Sequence, residues 1–208
     1  MENSIFITHT KDLSFWQDCY SRLYFGNEFC SHLIPSAAEL ETVIDFVESK
    51  KRLLSFVTGY ANNGDIKKYT TLFKIIEKRG INAEIIINDW GVFELTSDFS
   101  MKAVLGRLLC RQKKGRRVLN VFGRLPKEAK ERFQNAALNA NFVNFLIKNN
   151  IERVEIDNLL QGVFLNGIKR RLSVSLYTPY GYIATTRLCP SSAANQKIMA
   201  PLVIPASC

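Results

Sequence analysis

The chain holds no apolar run approaching the roughly 18 residues that a membrane-crossing helix needs. Its opening, MENSIFITHTKDLSF, has no basic stretch followed by a long apolar core, so it does not read as a secretory signal. Both absences lead to the expectation of a cytoplasmic protein with reduced thiols. The five cysteines, an odd number with no C-x-x-C among them, do not suggest a disulfide framework, a zinc ribbon or a bacterial ferredoxin. A Walker loop, G-x-G-x-x-G, H-E-x-x-H and the zinc-deaminase signature are also missing, and with them the chemistries those spacings serve. No repeat, low-complexity segment or linker divides the 208 residues. One domain over 1–208 is therefore expected, with a loop-like, cysteine-bearing tail from about residue 188.

What is present is an ordinary globular composition, 47% hydrophobic and 23% charged, in a chain large enough for a full core. The net charge of +9 admits nucleic acid or an anionic surface as partner. The cations gather in runs: Lys50-Lys51-Arg52, Lys78-Arg79, residues 111–117 and Lys169-Arg170-Arg171. Each reads as lying between a helix end and the next strand, at the N-terminal edge of a parallel sheet. Folds of this class keep their sites at the opposite edge, so solubility and helix-dipole complementarity account for these runs.

Apolar segments predict strands at 23–25, 53–57, 83–87, 118–122, 151–156 and 172–177, with two more at 5–7 and 183–185. Helices are predicted between them at 13–20, 36–49, 65–78, 97–112 and 126–148. Ser36 stands three residues before Glu39, the capping-box spacing, and Leu40, Val43, Ile44 and Val47 recur at helical intervals. Gly80 follows Arg79 as a helix stop. Strands that are apolar throughout, alternating with amphipathic helices, indicate an α/β fold whose parallel sheet is covered by helices. A TIM-barrel-like (β/α) fold and an open wound sheet both fit.

In either case the turns after the strands share one face. They carry Glu28, Cys30, His32, Asn62, Asp65, Asn88, Asp89, Trp90, Arg124, Asp157, Asn158, Gln161, Tyr180, Arg187 and Cys189. Asn62, Asn63 and Asn158 read as turn formers. Trp90 is not a turn former, and either lines a cavity or plugs the end of the fold. Cys30, Cys189 and Cys208 are soft ligands on loops, the kind that select zinc or an iron–sulfur cluster, while isolated cysteines also serve as inert packing. Cys110, in Leu108-Leu109-Cys110, reads as core; Cys19 is ambiguous. Cys30 and His32 are two apart and could form a thiolate–imidazolium pair, with no third orienting group in sight.

Taken together, these turns resemble a known family. Tyr24-Phe25-Gly26-Asn27-Glu28-Phe29-Cys30-Ser31 resembles the first-strand motif of the collagenase-like (U-type) peptidase family, in particular its UbiU/UbiV-like branch. Ile86-Ile87-Asn88-Asp89-Trp90-Gly91, Val154-Glu155-Ile156-Asp157 with Gln161-Gly162, and the run from Tyr180 to Cys189 resemble later motifs of that branch, in the same order. The resemblance spans about residues 23–208 and implies a TIM-barrel-like main domain, incomplete at the C-terminus if the chain is a truncated member. It also implies a [4Fe–4S] cluster held by four cysteines, of which Cys30, Cys189 and Cys208 match three. A fourth would fall beyond Cys208, or be Cys19, a partner's residue or an exogenous thiol.

The function this implies is that of an iron–sulfur protein in oxygen-independent hydroxylation, as in ubiquinone biosynthesis, or in a related modification. It would act as a redox or hydroxylation subunit beside a related family subunit. The cavity-lining candidates are Glu28, His32, Asn88, Asp89, Trp90, Asp157, Gln161, Tyr180 and Arg187. A peptidase of the same family is the alternative. A non-catalytic RNA- or partner-binding barrel, with Arg116 and Arg117 as contacts, is a second.

Overall fold

The computed structural model describes residues 2–110, 112–131, 133, 139–163, 165, 172–182 and 185. Seven strands form one sheet: β1 Ser4–Ile7, β2 Arg22–Gly26, β3 Leu53–Val57, β4 Ala83–Ile87, β5 Lys102–Leu105, β6 Arg153–Asp157 and β7 Ser173–Tyr177. Their order in space is their order in the chain, and every adjacent pair is parallel. Parallel neighbours need crossover connections. The principal ones are the helices α1 Ala37–Ser49, α2 Asn63–Arg79, α3 Trp90–Asp98, α4 Arg116–Phe122, α5 Lys127–Glu131 and α6 Ala140–Lys148. None of the described helices is long and apolar enough to cross a membrane.

The helices start and stop where local chemistry directs. Ser36 Oγ accepts from the Glu39 backbone N–H at 3.3 Å, and Glu39 Oε2 accepts from the Ser36 N–H at 2.9 Å, completing the capping box of α1. Asn62 and Asp65 do the same for α2, which ends at Gly80 with φ 65°. Leu40, Val43, Ile44 and Val47 of α1 and Tyr69, Leu72, Phe73 and Ile76 of α2 are buried. They join Leu23, Phe25, Leu54, Phe56, Ile85, Ile87, Leu105 and Val154 from the strands in one core. Each such large side chain contributes about 1.5–3 kcal/mol by leaving water.

The other face of the sheet is layered rather than uniformly apolar. Alternation along the strands turns Arg22, Tyr24, Ser55, Val57, Glu84, Ile86, Val104, Arg153, Glu155 and Asp157 away from the helices. Tyr24, Val57, Ile86 and Val104, with Phe6 against them, make a second, small apolar cluster. Below it, Glu84 Oε2 lies 2.7 Å from Arg22 Nη1 and 2.5 Å from Arg153 Nη2. The sheet curls into a half-barrel, so β7 meets β1 and β2 across the concave side. The Tyr177 ring lies 6.2 Å from Phe6 and 6.3 Å from Tyr24, and Tyr24 Oη is 3.4 Å from Ser175 Oγ.

The structure corrects several expectations. Residues 97–112 are not one helix: α3 closes at Asp98, Ser100 takes φ 50°, and 102–105 form β5. Residues 118–122, expected as a strand, lie in α4. The expected helix 126–148 is represented by α5 and α6, and that at 13–20 by a 3-10 turn, Thr10–Phe15. The strands are not apolar throughout, because a curled sheet has an interior where charged side chains can pair. The expected strand at 183–185 and the tail from about 188 fall outside the described residues, apart from position 185.

Candidate functional site

Gly106-Arg107 follows β5 directly and delivers a guanidinium into the C-terminal end of the interior. Arg107 Nε stands 3.0 Å from both Glu28 oxygens, and its Nη2 is 2.5 Å from Oε2. Nη1 donates to Asp157 Oδ1 at 2.8 Å. The guanidinium lies over the Tyr177 ring, 4.0 Å from its centroid. Lys114 Nζ pairs with the other Asp157 oxygen and donates to the Tyr182 carbonyl at 3.0 Å. The Tyr182 hydroxyl returns a hydrogen bond to the Arg107 carbonyl, also at 3.0 Å. One arginine thus joins the turn after β2 to the end of β6, and Lys114 and Tyr182 bring in the turn after β7.

Asn88 holds the turn that carries Arg107. Its Nδ2 donates to the Thr58 carbonyl at 2.7 Å, and its Oδ1 accepts from the Leu108 N–H at 3.0 Å. A Cβ on Gly106 would stand 2.3 Å from that oxygen, so only glycine fits there. Beneath the arginine, the Tyr177 hydroxyl donates to Glu155 Oε2 at 2.7 Å. The other oxygen of Glu155 is buried and has no hydrogen-bond partner in the structure described.

Burial dominates the proton affinities. It pushes Glu155 up to about 8, with Glu28 repulsion adding and the Tyr177 bond opposing, so this carboxyl keeps its proton at neutral pH. Burial and Asp157 repulsion raise Glu28 against the pull of Arg107. Burial alone would lower Arg107, but the Glu28 and Asp157 carboxylates more than offset it and the net shift is upward. Lys114 is lowered by burial against the pull of Asp157. With Glu155 neutral, the cations Arg107 and Lys114 balance the carboxylates Glu28 and Asp157. The arrangement is a desolvated network of two cations and three carboxyl groups, in which burial favours the protonated form of Glu155.

Of the candidates read from the sequence, Glu28, Asn88 and Asp157 meet in this cluster. Gln161 Nε2 donates to the Lys113 carbonyl at its edge, at 2.8 Å. Cys30 is half-buried on the same turn as Glu28, its backbone N–H held by Asn27 Oδ1 at 2.8 Å. His32 is exposed one residue into the following 3-10 turn, and no hydrogen bond joins it to Cys30. Asn62, Asp65 and Asp89 cap helices. Asn158 is exposed, as is Arg124 beyond the end of α4. Trp90 packs edge-on against Phe93, Phe142 and Phe145 in the helix layer. Tyr180 is 85% exposed on the rim. Arg187, Cys189 and Cys208 lie outside the described residues. Cys110 is buried as expected, but in the turn after β5 rather than in a helix, and burial raises its thiol pKa; Cys19 is exposed.

Sequence reasoning missed Arg107, Lys114, Glu155, Tyr177 and Tyr182. It also put the basic run around Lys114 at the wrong edge: Lys113 and Lys114 follow β5, and Arg116 and Arg117 open α4, at the C-terminal face. The signal for Arg107 was a short apolar run ending in Gly106, repeating the Phe25-Gly26 plan of β2. No family model, curated protein or solved structure matches the chain.

Proposed function

We propose that the protein is an iron–sulfur protein on a TIM-barrel-like (β/α) fold, acting in an oxygen-independent hydroxylation or related modification. In this reading Cys30, Cys189 and Cys208 are cluster ligands, and a related family subunit works beside it. The supporting observation is the β2 turn, which presents the half-buried Cys30 thiol two residues beyond the buried Glu28. The in-order parallel strands, curled until β7 reaches β1 and β2, favour the barrel-like fold.

Cys30 suits a ligand role: a thiol, on a turn, at the face where the ionic cluster lies. Among the described residues no set of three His, Cys, Asp or Glu side chains could hold a metal ion, so the remaining ligands would come from Cys189, Cys208 and one further donor. A bound cluster would supply one-electron transfer. The chain's own groups do the rest: Arg107 and Lys114 orient an anionic or carbonyl oxygen, Tyr182 and Phe29 flank the guanidinium, and Glu155 holds a proton. A peptidase needs an activated nucleophile; among the described residues Cys30 has no bonded base, and Cys110 is buried.

The test is purification without oxygen, followed by iron and sulfide analysis and a visible spectrum. Broad visible absorption with stoichiometric iron, lost in both Cys30→Ser and Cys189→Ser, is expected. Colourless, iron-free wild-type protein after anaerobic reconstitution overturns the reading.

A further inference from the structure

Four exposed apolar side chains, among them the two most exposed large apolar ones of the described residues, project from turns on the face that carries the cluster. Leu160, three residues past β6, is 80% exposed, and Tyr180, three past β7, is 85% exposed. Phe29 at 42% and Leu33 at 44% project from the turn after β2. These turns touch one another: Phe29 packs on Tyr182 with ring centroids 5.5 Å apart, and Gln161 bonds the Lys113 carbonyl. With Lys114 bonded to the Tyr182 carbonyl, these turns are linked around the end of the half-barrel.

Charge on this face is sorted by sign. Among the described residues of these turns, Glu28, Asp65 and Asp157 are buried and Asp89 caps α3. Lys113, Arg116 and Arg117 face out, exposed beside the Gln161 turn. We infer that this C-terminal face docks on an anionic lipid surface. Protruding leucine and aromatic tips enter the headgroup boundary while the adjacent lysine and arginines meet lipid phosphates. Leu33 and Leu160 favour lipid over nucleic acid, because an aliphatic side chain offers bases no stacking platform. Docking in this way brings the end of the half-barrel that holds the Glu28–Arg107–Asp157 cluster to the bilayer. The inference does not depend on the iron–sulfur reading.

Co-sedimentation of the full chain with vesicles tests it. Binding is expected to vesicles of equal parts phosphatidylcholine and phosphatidylglycerol, and at least about tenfold less to phosphatidylcholine alone. Leu160→Asp with Tyr180→Asp, and separately Lys113→Ala with Arg116→Ala and Arg117→Ala, should each lower the partition coefficient about tenfold or more. Lys50→Ala with Arg52→Ala and Lys78→Ala, which removes equal charge from the far side, should change it less than about twofold. Circular dichroism confirms that each variant is folded. Absence of phosphatidylglycerol-dependent binding overturns the inference. So does equal loss in the far-side variant, which would mean net charge alone. Binding of polyuridylate that matches vesicle binding and survives the Leu160 and Tyr180 substitutions would assign the face to nucleic acid instead.

Discussion

The two ends of the half-barrel interior are both ionic, and they are built differently. At the N-terminal end, Glu84 is shared among Arg22, Arg153 and the more distant Lys102. Arg22 also reaches Glu2, which is partly exposed, at 2.5 Å. Every charge there has a second partner or access to water. At the C-terminal end, Glu28 and Asp157 have side chains fully withdrawn from solvent and depend on Arg107 and Lys114. A redundant, wetted network tolerates loss of a member; a sealed one does not. The first is suited to closing the fold, the second to a site whose charges must stay where they are put.

The largest expected effect is that of Arg107→Ala, which strands the buried Glu28 and leaves Asp157 with Lys114 alone, and should cost about 3–5 kcal/mol. Arg22→Ala leaves Glu84 its other cations and should cost about 1–3 kcal/mol. Urea unfolding of the two variants at neutral pH compares them, and equal losses would erase the distinction between the ends.

Next is Glu155→Gln. The native carboxyl holds its proton up to about pH 8, whereas the unfolded one releases it near the ordinary value of 4.5. Between those values the native state binds the extra proton, so raising the pH through this window lowers stability, and the loss is complete above about 8. The glutamine variant removes that dependence. It should be more stable than wild type at pH 9 by something on the order of 5 kcal/mol and nearly equal below pH 4.5. Denaturation across the pH range reads both limits.

Tyr177→Phe takes away a donor to Glu155 Oε2 and should cost about 1–2 kcal/mol. The bond to Tyr177 opposes the upward shift, so its loss should also move the midpoint of the pH-dependent step upward. Smallest is Glu2→Ala, at or below about 0.5 kcal/mol, because its partner Arg22 keeps Glu84 and Glu2 itself is open to solvent. A larger loss would mean that the N-terminal end is less redundant than its geometry implies.

Much of the fold was legible because local and global signals agree in the first half of the chain. Ser36 with Glu39 and Gly80 mark helix ends, and the runs at 53–57 and 83–87 are strands to the residue. The failures came from segments where apolar spacing serves two periods. LTSDFSMKAVLGRLL has leucines and valines at helical intervals, yet Ser100 turns left-handed and a four-residue strand follows. VLNVF is rich in branched and aromatic residues, yet it is helical, with Val118 and Phe122 half-buried one turn apart. Misplacing β5 hid Arg107 inside an imagined helix and moved Lys114 to the wrong edge. Glu28 and Asp157 were legible because each lies at or just past the end of a strand the sequence announces. Tyr177 was not, since a tyrosine ending a strand looks like packing until its partner Glu155 is placed.

The same arginine bridge bears on the order in which the chain can assemble. Every strand pairs with its neighbour in sequence, so the sheet can grow one crossover at a time, each step closing a modest loop. Arg107 and Glu28, however, are 79 residues apart, and Arg107 and Asp157 are 50 apart. β5 and β6 are joined by a single register pair, Leu105 with Val154. The bridge can close only after β2, β5 and β6 are all in place, which makes it a late latch on the folding route. Replacing Arg107 should therefore speed unfolding and leave the refolding rate nearly unchanged, a kinetic signature of contacts absent from the transition state.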